Sequence, residues 1–355
     1  MDHARRRERI SSRLAEVGAE ALLVTRLPNV RYLTGFTGSN GQLLLAPGGG
    51  VFFTDGRYAE QSSHEVPDLR RTLYSGEFAP HFGTACRELG VGRVAFEAAG
   101  VTYRAYTQLH ALGLELIPTH NEVEKMRWRK EPEEIGLLEQ AQAIADEAFE
   151  AVTAKLVDGI TERETALELD TFMRRAGADG LAFETIVAFG ESAAEPHHTP
   201  TDRPLSGGEL VKIDFGCVVS GYHSDMTRTV AFGEPPARMR EVYQIVRRAQ
   251  QAGVDAVRAG VSGNEVDRVA RELIRDAGYG DQYKHGLGHG VGLEIHEGPS
   301  LRPESEDVLP QGTVVTVEPG IYLDGVGGVR IEDMVEVTAE GGRVIPRTTK
   351  ELVVL

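Results

Sequence analysis

Only two cysteines, Cys86 and Cys217, occur in the 355-residue chain, and they lie far apart. No disulfide framework can be built from them, which fits a reducing cytoplasm. There is no run of about 18 apolar residues, so no transmembrane helix is expected. Met1 to Ile10 is charged and has no apolar stretch, so it does not read as a secretory signal. Basic residues are in deficit, 38 Lys and Arg against 54 Asp and Glu, for a formal net charge of −16. That balance argues against nucleic-acid and anionic-membrane partners. Short-period repeats and low-complexity tracts are also lacking.

What is present is ordinary for a soluble globular protein, with 41% hydrophobic and 26% charged residues. The length favours two domains, and alternating helix and strand patterns favour an α/β class. Residues 1–122 read as a small α/β domain. A helix is expected near residues 3–18, with Ile10, Leu14 and Val17 on its buried side and Arg5, Arg6, Arg7 and Arg9 on a solvated face. Strands follow at 21–25, 42–45, 51–54, 94–96 and 114–118, and 27–41 reads as rich in turns. Residues 123–132 form a charged linker. The segment Lys130-Glu131-Pro132-Glu133-Glu134 is a good helix start, with proline in the first turn and acids after it. The second domain, 133–355, opens with a helix to about Val157. A second helix is capped by Thr161 and Glu164, three residues apart. Strands are then expected at 185–188, 210–215, 227–232, 314–317 and 329–337, with helices near 237–259 and 263–277.

Five residues in this second half carry the chemistry: Asp214, Asp225, His289, Glu318 and Glu332. A turn centred between Val219 and Ser220 would set Asp214 directly opposite Asp225 on an antiparallel pair, with both side chains on one face. Two carboxylates that close repel unless a cation lies between them. The run from His285 to Glu297 holds His285, His289 and His296 among glycines, which places backbone close to a site. It has neither a dinucleotide fingerprint nor the H-E-x-x-H zinc spacing. Glu318 and Glu332 each sit within a β-branched stretch. Taken alone, Glu332 reads as a half-exposed strand residue beside Arg330. Together, four carboxylates aimed at one point are not viable in a core without cations, and two divalent ions would neutralise them.

The ordered set Asp214-Phe215-Gly216, Ser224-Asp225-Met226-Thr227-Arg228-Thr229, Gly288-His289-Gly290-Val291-Gly292, Glu318-Pro319-Gly320-Ile321-Tyr322 and Arg330-Ile331-Glu332-Asp333 resembles the pita-bread metallopeptidases. In the first half, Asn29-Val30-Arg31-Tyr32-Leu33-Thr34-Gly35-Phe36 and Thr54-Asp55-Gly56-Arg57-Tyr58 resemble the creatinase-type domain of the proline-specific branch. The resemblance implies a creatinase-type α/β domain followed by a pita-bread α+β catalytic domain. It implies two divalent metal ions, manganese first, with cobalt, zinc or iron as alternatives. Asp214 and Glu332 would bridge them, Asp225 would bind one, and His289 and Glu318 the other. A hydroxide held between the ions would attack the Xaa-Pro bond of a dipeptide, with Glu318 as proton shuttle. His197 and His296 would act on the substrate and the tetrahedral intermediate. His285 would line the proline pocket, and Arg330 would steer a carboxylate. The doublet His197-His198 leaves open which histidine serves. Phe183 stands where some aminopeptidases P carry a tyrosine, which favours dipeptides. The alternatives are an aminopeptidase P acting on longer peptides and, in another class, a non-catalytic peptide-binding protein on the same fold. A cytoplasmic homodimer is the expected form.

Overall fold

Two units make up the computed structural model, Met1–Arg127 and Trp128–Leu355, and residues 1–355 are all described. The first unit is built on a six-stranded sheet. Its order is Arg70–Tyr74, Gly49–Asp55, Gln42–Ala46, Ala21–Val24, Arg93–Glu97, Glu115–Thr119. Ala21–Val24 is buried throughout, as a central strand requires, and runs antiparallel to Gln42–Ala46 and parallel to Arg93–Glu97. Leu23, Leu44, Phe53, Phe82 and Phe96 pack one of its faces.

Two expectations for this unit are corrected. Residues 27–41 are not all turn: Leu27–Thr34 is a helix, with Pro28 in its first turn and Gly35 in the left-handed region (φ 81°) closing it. The first helix is short, His3–Ser11, and its arginines are not all solvated. Arg6 and Arg7 are buried. Arg6 Nη1 donates to Tyr32 O at 3.2 Å and Arg7 Nη1 to Leu33 O at 2.8 Å. Both thereby satisfy carbonyls at the open end of Leu27–Thr34. Arg6 also stacks on the Tyr32 ring at 4.0 Å.

The second unit opens with Pro132–Thr153, begun by a capping box between Glu131 and Glu134 with Pro132 at the first position. Glu162–Arg175 follows, capped by Thr161 and Glu164. These helices, with Ala237–Ala256 and Gly263–Asp276, cover sheets whose central strands are buried almost throughout. One sheet joins Ile186–Phe189, Glu209–Phe215 and Met226–Phe232. Another has the order Glu297–Leu301, Gly288–Gly290, Val314–Val317, Asp333–Val337, Gly342–Val344. No helix is long and apolar enough to cross a membrane.

Two further corrections concern the strands that carry acids. The reversal after Glu209–Phe215 is centred on Ser220-Gly221, because Val219 pairs with Tyr222. Both turn residues have positive φ, 47° and 80°, as a two-residue hairpin loop of the favoured twist demands. Asp214 therefore faces Thr227, not Asp225. The expected strand 329–337 is two strands, Gly327–Arg330 and Asp333–Val337, which pair in different sheets. The break falls at Ile331-Glu332, so the simple two-face alternation does not apply, and Glu332 is 2% exposed.

Candidate metal centre

Asp214 lies at the end of Glu209–Phe215, and Asp225 directly precedes Met226–Phe232. With Asp214 level with Thr227, Asp225 is two positions away along the partner chain and on the same face, the diagonal of an antiparallel pair. The register error is an even number of residues, so the facing of the two acids survives it. Val317 pairs with Asp333, which leaves Glu318 and Glu332 on the rung just beyond that ladder. His289 lies in the neighbouring strand Gly288–Gly290. The two sheets meet at Thr227: its carbonyl accepts from the Glu332 N–H at 3.0 Å, and its Oγ1 donates to Glu332 Oε2 at 2.7 Å.

The structure brings all five residues together. Asp225, His289 and Glu332 offer ligand atoms within 4.8 Å of one another. His289 Nε2 is 3.6 Å from Asp225 Oδ2 and 3.4 Å from Glu318 Oε1. Its Nδ1 faces Gly290 O at 3.0 Å, which places the proton on Nδ1 and leaves the Nε2 lone pair toward the acids. Asp214 Oδ2 accepts from Arg330 Nη2 at 2.5 Å, while Asp214 Oδ1 is buried without any partner.

The electrostatics of this cluster are those of acids lacking counter-charge. Burial, and then the neighbouring Glu332, Asp214 and Glu318, push the Asp225 carboxyl well above its usual range. Burial, and then Glu318 and Asp214, do the same to Glu332. Burial raises Glu318 to about 7. Burial, reinforced by His296, lowers His289 to about 4, so its imidazole is neutral. Divalent cations would reverse the three carboxyl shifts and would keep the His289 imidazole neutral. An orphaned carboxylate oxygen, oxygen-rich donors and one neutral imidazole nitrogen fit such ions chemically.

A cavity of about 640 Å³ opens over the cluster. Phe183, His197, His285, His296, Arg302 and Arg330 are among the residues that wall it. The His296 ring stands edge-on to His289, with centroids 4.3 Å apart. Burial, and then His197, lower the His296 pKa. His285 is held neutral, at about 3, by burial and then Arg330. Its Nε2 accepts from Tyr322 Oη at 2.9 Å, and that oxygen accepts from Arg330 Nη1 at 2.9 Å. In the histidine doublet, both ring nitrogens of His198 are engaged, Nε2 with Glu162 at 2.8 Å and Nδ1 with Glu195 at 3.0 Å. His197 carries no such pairing. Arg330 is also committed: besides Asp214 and Tyr322 it donates to Pro196 O at 3.2 Å and Thr227 Oγ1 at 3.0 Å. The exposed arginine on the cavity wall is Arg302, which has no ion-pair partner.

Sequence reasoning passed over Thr227, Tyr322 and Arg302. For Tyr322 the signal is a hydroxyl residue within an apolar buried stretch, since a buried hydroxyl needs a partner; Thr227 sits among Asp225, Arg228 and Thr229 and gives no such signal. Arg302 has no comparable signal.

Known proteins resemble this chain along nearly its whole length. The profile of "Metallopeptidase family M24" matches residues 136–339, and that of the "Creatinase/Prolidase N-terminal domain" matches 6–128. An uncharacterized peptidase of Bacillus subtilis is 41% identical over 350 residues, covering 98% of this chain and 99% of the relative. The solved Xaa-Pro dipeptidase from Bacillus anthracis is 41% identical with a TM-score of 0.97, covering 99% of this chain and 100% of that one. The X-Pro aminopeptidase from Thermotoga maritima is 35% identical with a TM-score of 0.88, covering 96% and 99%. The chain is thus an enzyme belonging to metallopeptidase family M24, with a creatinase/prolidase-type N-terminal domain.

Proposed function

We propose that the enzyme hydrolyses the Xaa-Pro bond of dipeptides with two divalent ions held by Asp214, Asp225, His289, Glu318 and Glu332. The observation that carries this reading is the cluster of Asp225, His289 and Glu332 within 4.8 Å of one another, with Glu318 beside His289 and the buried, partnerless Asp214 Oδ1 on the same cavity. Asp214 and Glu332 would contribute to both ions, Asp225 to one, and His289 and Glu318 to the other. When bound, the ions would polarise the scissile carbonyl and acidify a water molecule, manganese being the first choice. Glu318 takes the proton from that water and returns it to the leaving proline nitrogen. His197 and His296 donate to the substrate and to the developing oxyanion. His285, neutral and fixed by Tyr322, lines the proline pocket. Arg330 holds Asp214 in place, and Arg302 supplies the cation for a free substrate carboxylate.

Phe183 on the wall and a free arginine within the cavity favour a two-residue substrate. Cleavage of longer peptides with proline second is the competing reading, favoured by the Thermotoga maritima likeness. The test is to strip the protein with chelator, reload it with manganese, cobalt, zinc or iron, and assay Ala-Pro beside Ala-Pro-Ala. Two metal equivalents and faster turnover of Ala-Pro are expected. Activity that persists unchanged after chelation overturns the metal reading, and preference for the tripeptide overturns the dipeptidase reading. Two free, buried thiols support residence in the cytoplasm. A homodimer is the proposed assembly, checked by sedimentation equilibrium.

A further inference from the structure

Lys212 stands two residues before Asp214 on Glu209–Phe215, so its side chain leaves the same face of the strand. It is wholly buried, yet its Nζ has no carboxylate partner. Nζ instead donates to Ala193 O at 3.1 Å, Glu195 O at 2.5 Å and Pro196 O at 3.4 Å. The Tyr322 ring lies 5.3 Å from it. All three carbonyls belong to one segment, the turn Gly190–Ala194 and the residues leading out of it to His197. Arg330 Nη1 converges on the same Pro196 carbonyl at 3.2 Å. On the far side, His198 ties the segment to Glu162. An ammonium buried without a counter-ion is unfavourable, and an apolar side chain of similar length would fill the space at less cost. What a lysine adds here is a set of donors aimed at the backbone just before His197.

We infer that Lys212 is a positioning residue: by fixing the carbonyls of Ala193, Glu195 and Pro196 it sets where His197 stands toward the substrate. The inference rests on the assignment of His197 to the substrate and extends it to a residue that touches neither substrate nor metal.

The test is a double-mutant cycle on Ala-Pro hydrolysis by metal-loaded enzyme, using Lys212→Met, His197→Ala and the double variant, with metal content and circular dichroism measured for each. Lys212→Met is expected to keep its metal and fold and to lose about tenfold in kcat/KM, ~1.4 kcal/mol. In the His197→Ala background the same change should cost less than about twofold, because the group it positions is gone. Lys212→Gln, which keeps an N–H donor, should recover part of the loss. Equal losses in both backgrounds, or a folded Lys212→Met with unchanged kinetics, overturn the inference while leaving His197's role intact. A kinetically silent His197→Ala overturns that role and the inference with it. Should Lys212→Met fail to fold, the cycle run with Lys212→Gln decides by the same criterion.

Discussion

Replacing Glu318 with glutamine should change stability in opposite directions with and without metal. In the metal-free protein the buried Glu318 carboxyl titrates at about 7, against 4.5 for a free glutamate. For an acid whose folded pKa is raised, the folded state holds its proton longer than the unfolded chain does. Stability therefore falls as pH rises from about 4.5 to about 7, and above that the full penalty, ~3 kcal/mol, is present. Some solvent reaches the side chain, so this figure is a ceiling. Glutamine cannot ionise and still accepts the Thr316 hydroxyl, which donates to Glu318 Oε1 at 3.1 Å. Chelator-treated Glu318→Gln should thus match the parent near pH 4.5 and exceed it by up to ~3 kcal/mol at pH 8. Comparing variant with parent cancels the opposing contribution of His289, whose lowered pKa of about 4 makes stability rise with pH between about 4 and 6.5. With metal loaded the order should invert, because the carboxylate is then a ligand. Urea denaturation of both proteins at the two pH values, stripped and loaded, measures all four differences. A stripped variant that is less stable than the parent at pH 8 refutes the view that Glu318 is a strained acid awaiting a cation.

Arg228 is wholly buried and donates to Glu332 O at 2.5 Å, Asp333 Oδ1 at 2.7 Å and Thr348 O at 2.9 Å, so Arg228→Met should lower unfolding free energy by ~3–5 kcal/mol in urea titrations. Thr227→Val removes the hydroxyl that donates to Glu332 and accepts from Arg330; calorimetric titration should find weaker metal binding, by about tenfold or more. Arg302→Ala should raise KM for Ala-Pro about tenfold and leave KM for the C-terminal amide nearly unchanged; equal effects on both would refute a carboxylate contact.

The acids were legible because strand alternation has a period of two. Asp214 and Asp225 share a face under the expected register and under the observed one, which differ by two positions. Glu332 was legible only in company, since its burial depends on a strand break at Ile331-Glu332 and on docking against Thr227, 105 residues away in sequence. Arg6 and Arg7 misread for a related reason: the carbonyls they satisfy lie 26 residues on, in a helix whose Pro28 and Gly35 looked like turn punctuation although proline in the first turn and glycine past the last are also how helices end. The helix Phe78–Leu89, with Pro80 and Gly83 inside its span, was hidden likewise. Burial in this chain is thus readable where neighbours in sequence create it and unreadable where distant backbone does.

The seam between the two sheets at Thr227 has a mechanical consequence. Neither sheet holds all five of the proposed ligands, and a slip of one past the other by a single residue, about 3.3 Å, exceeds any metal–oxygen bond. Bound ions would act as rivets across that seam, so loading them should raise the melting of both layers together and slow amide exchange on strands that never touch a metal.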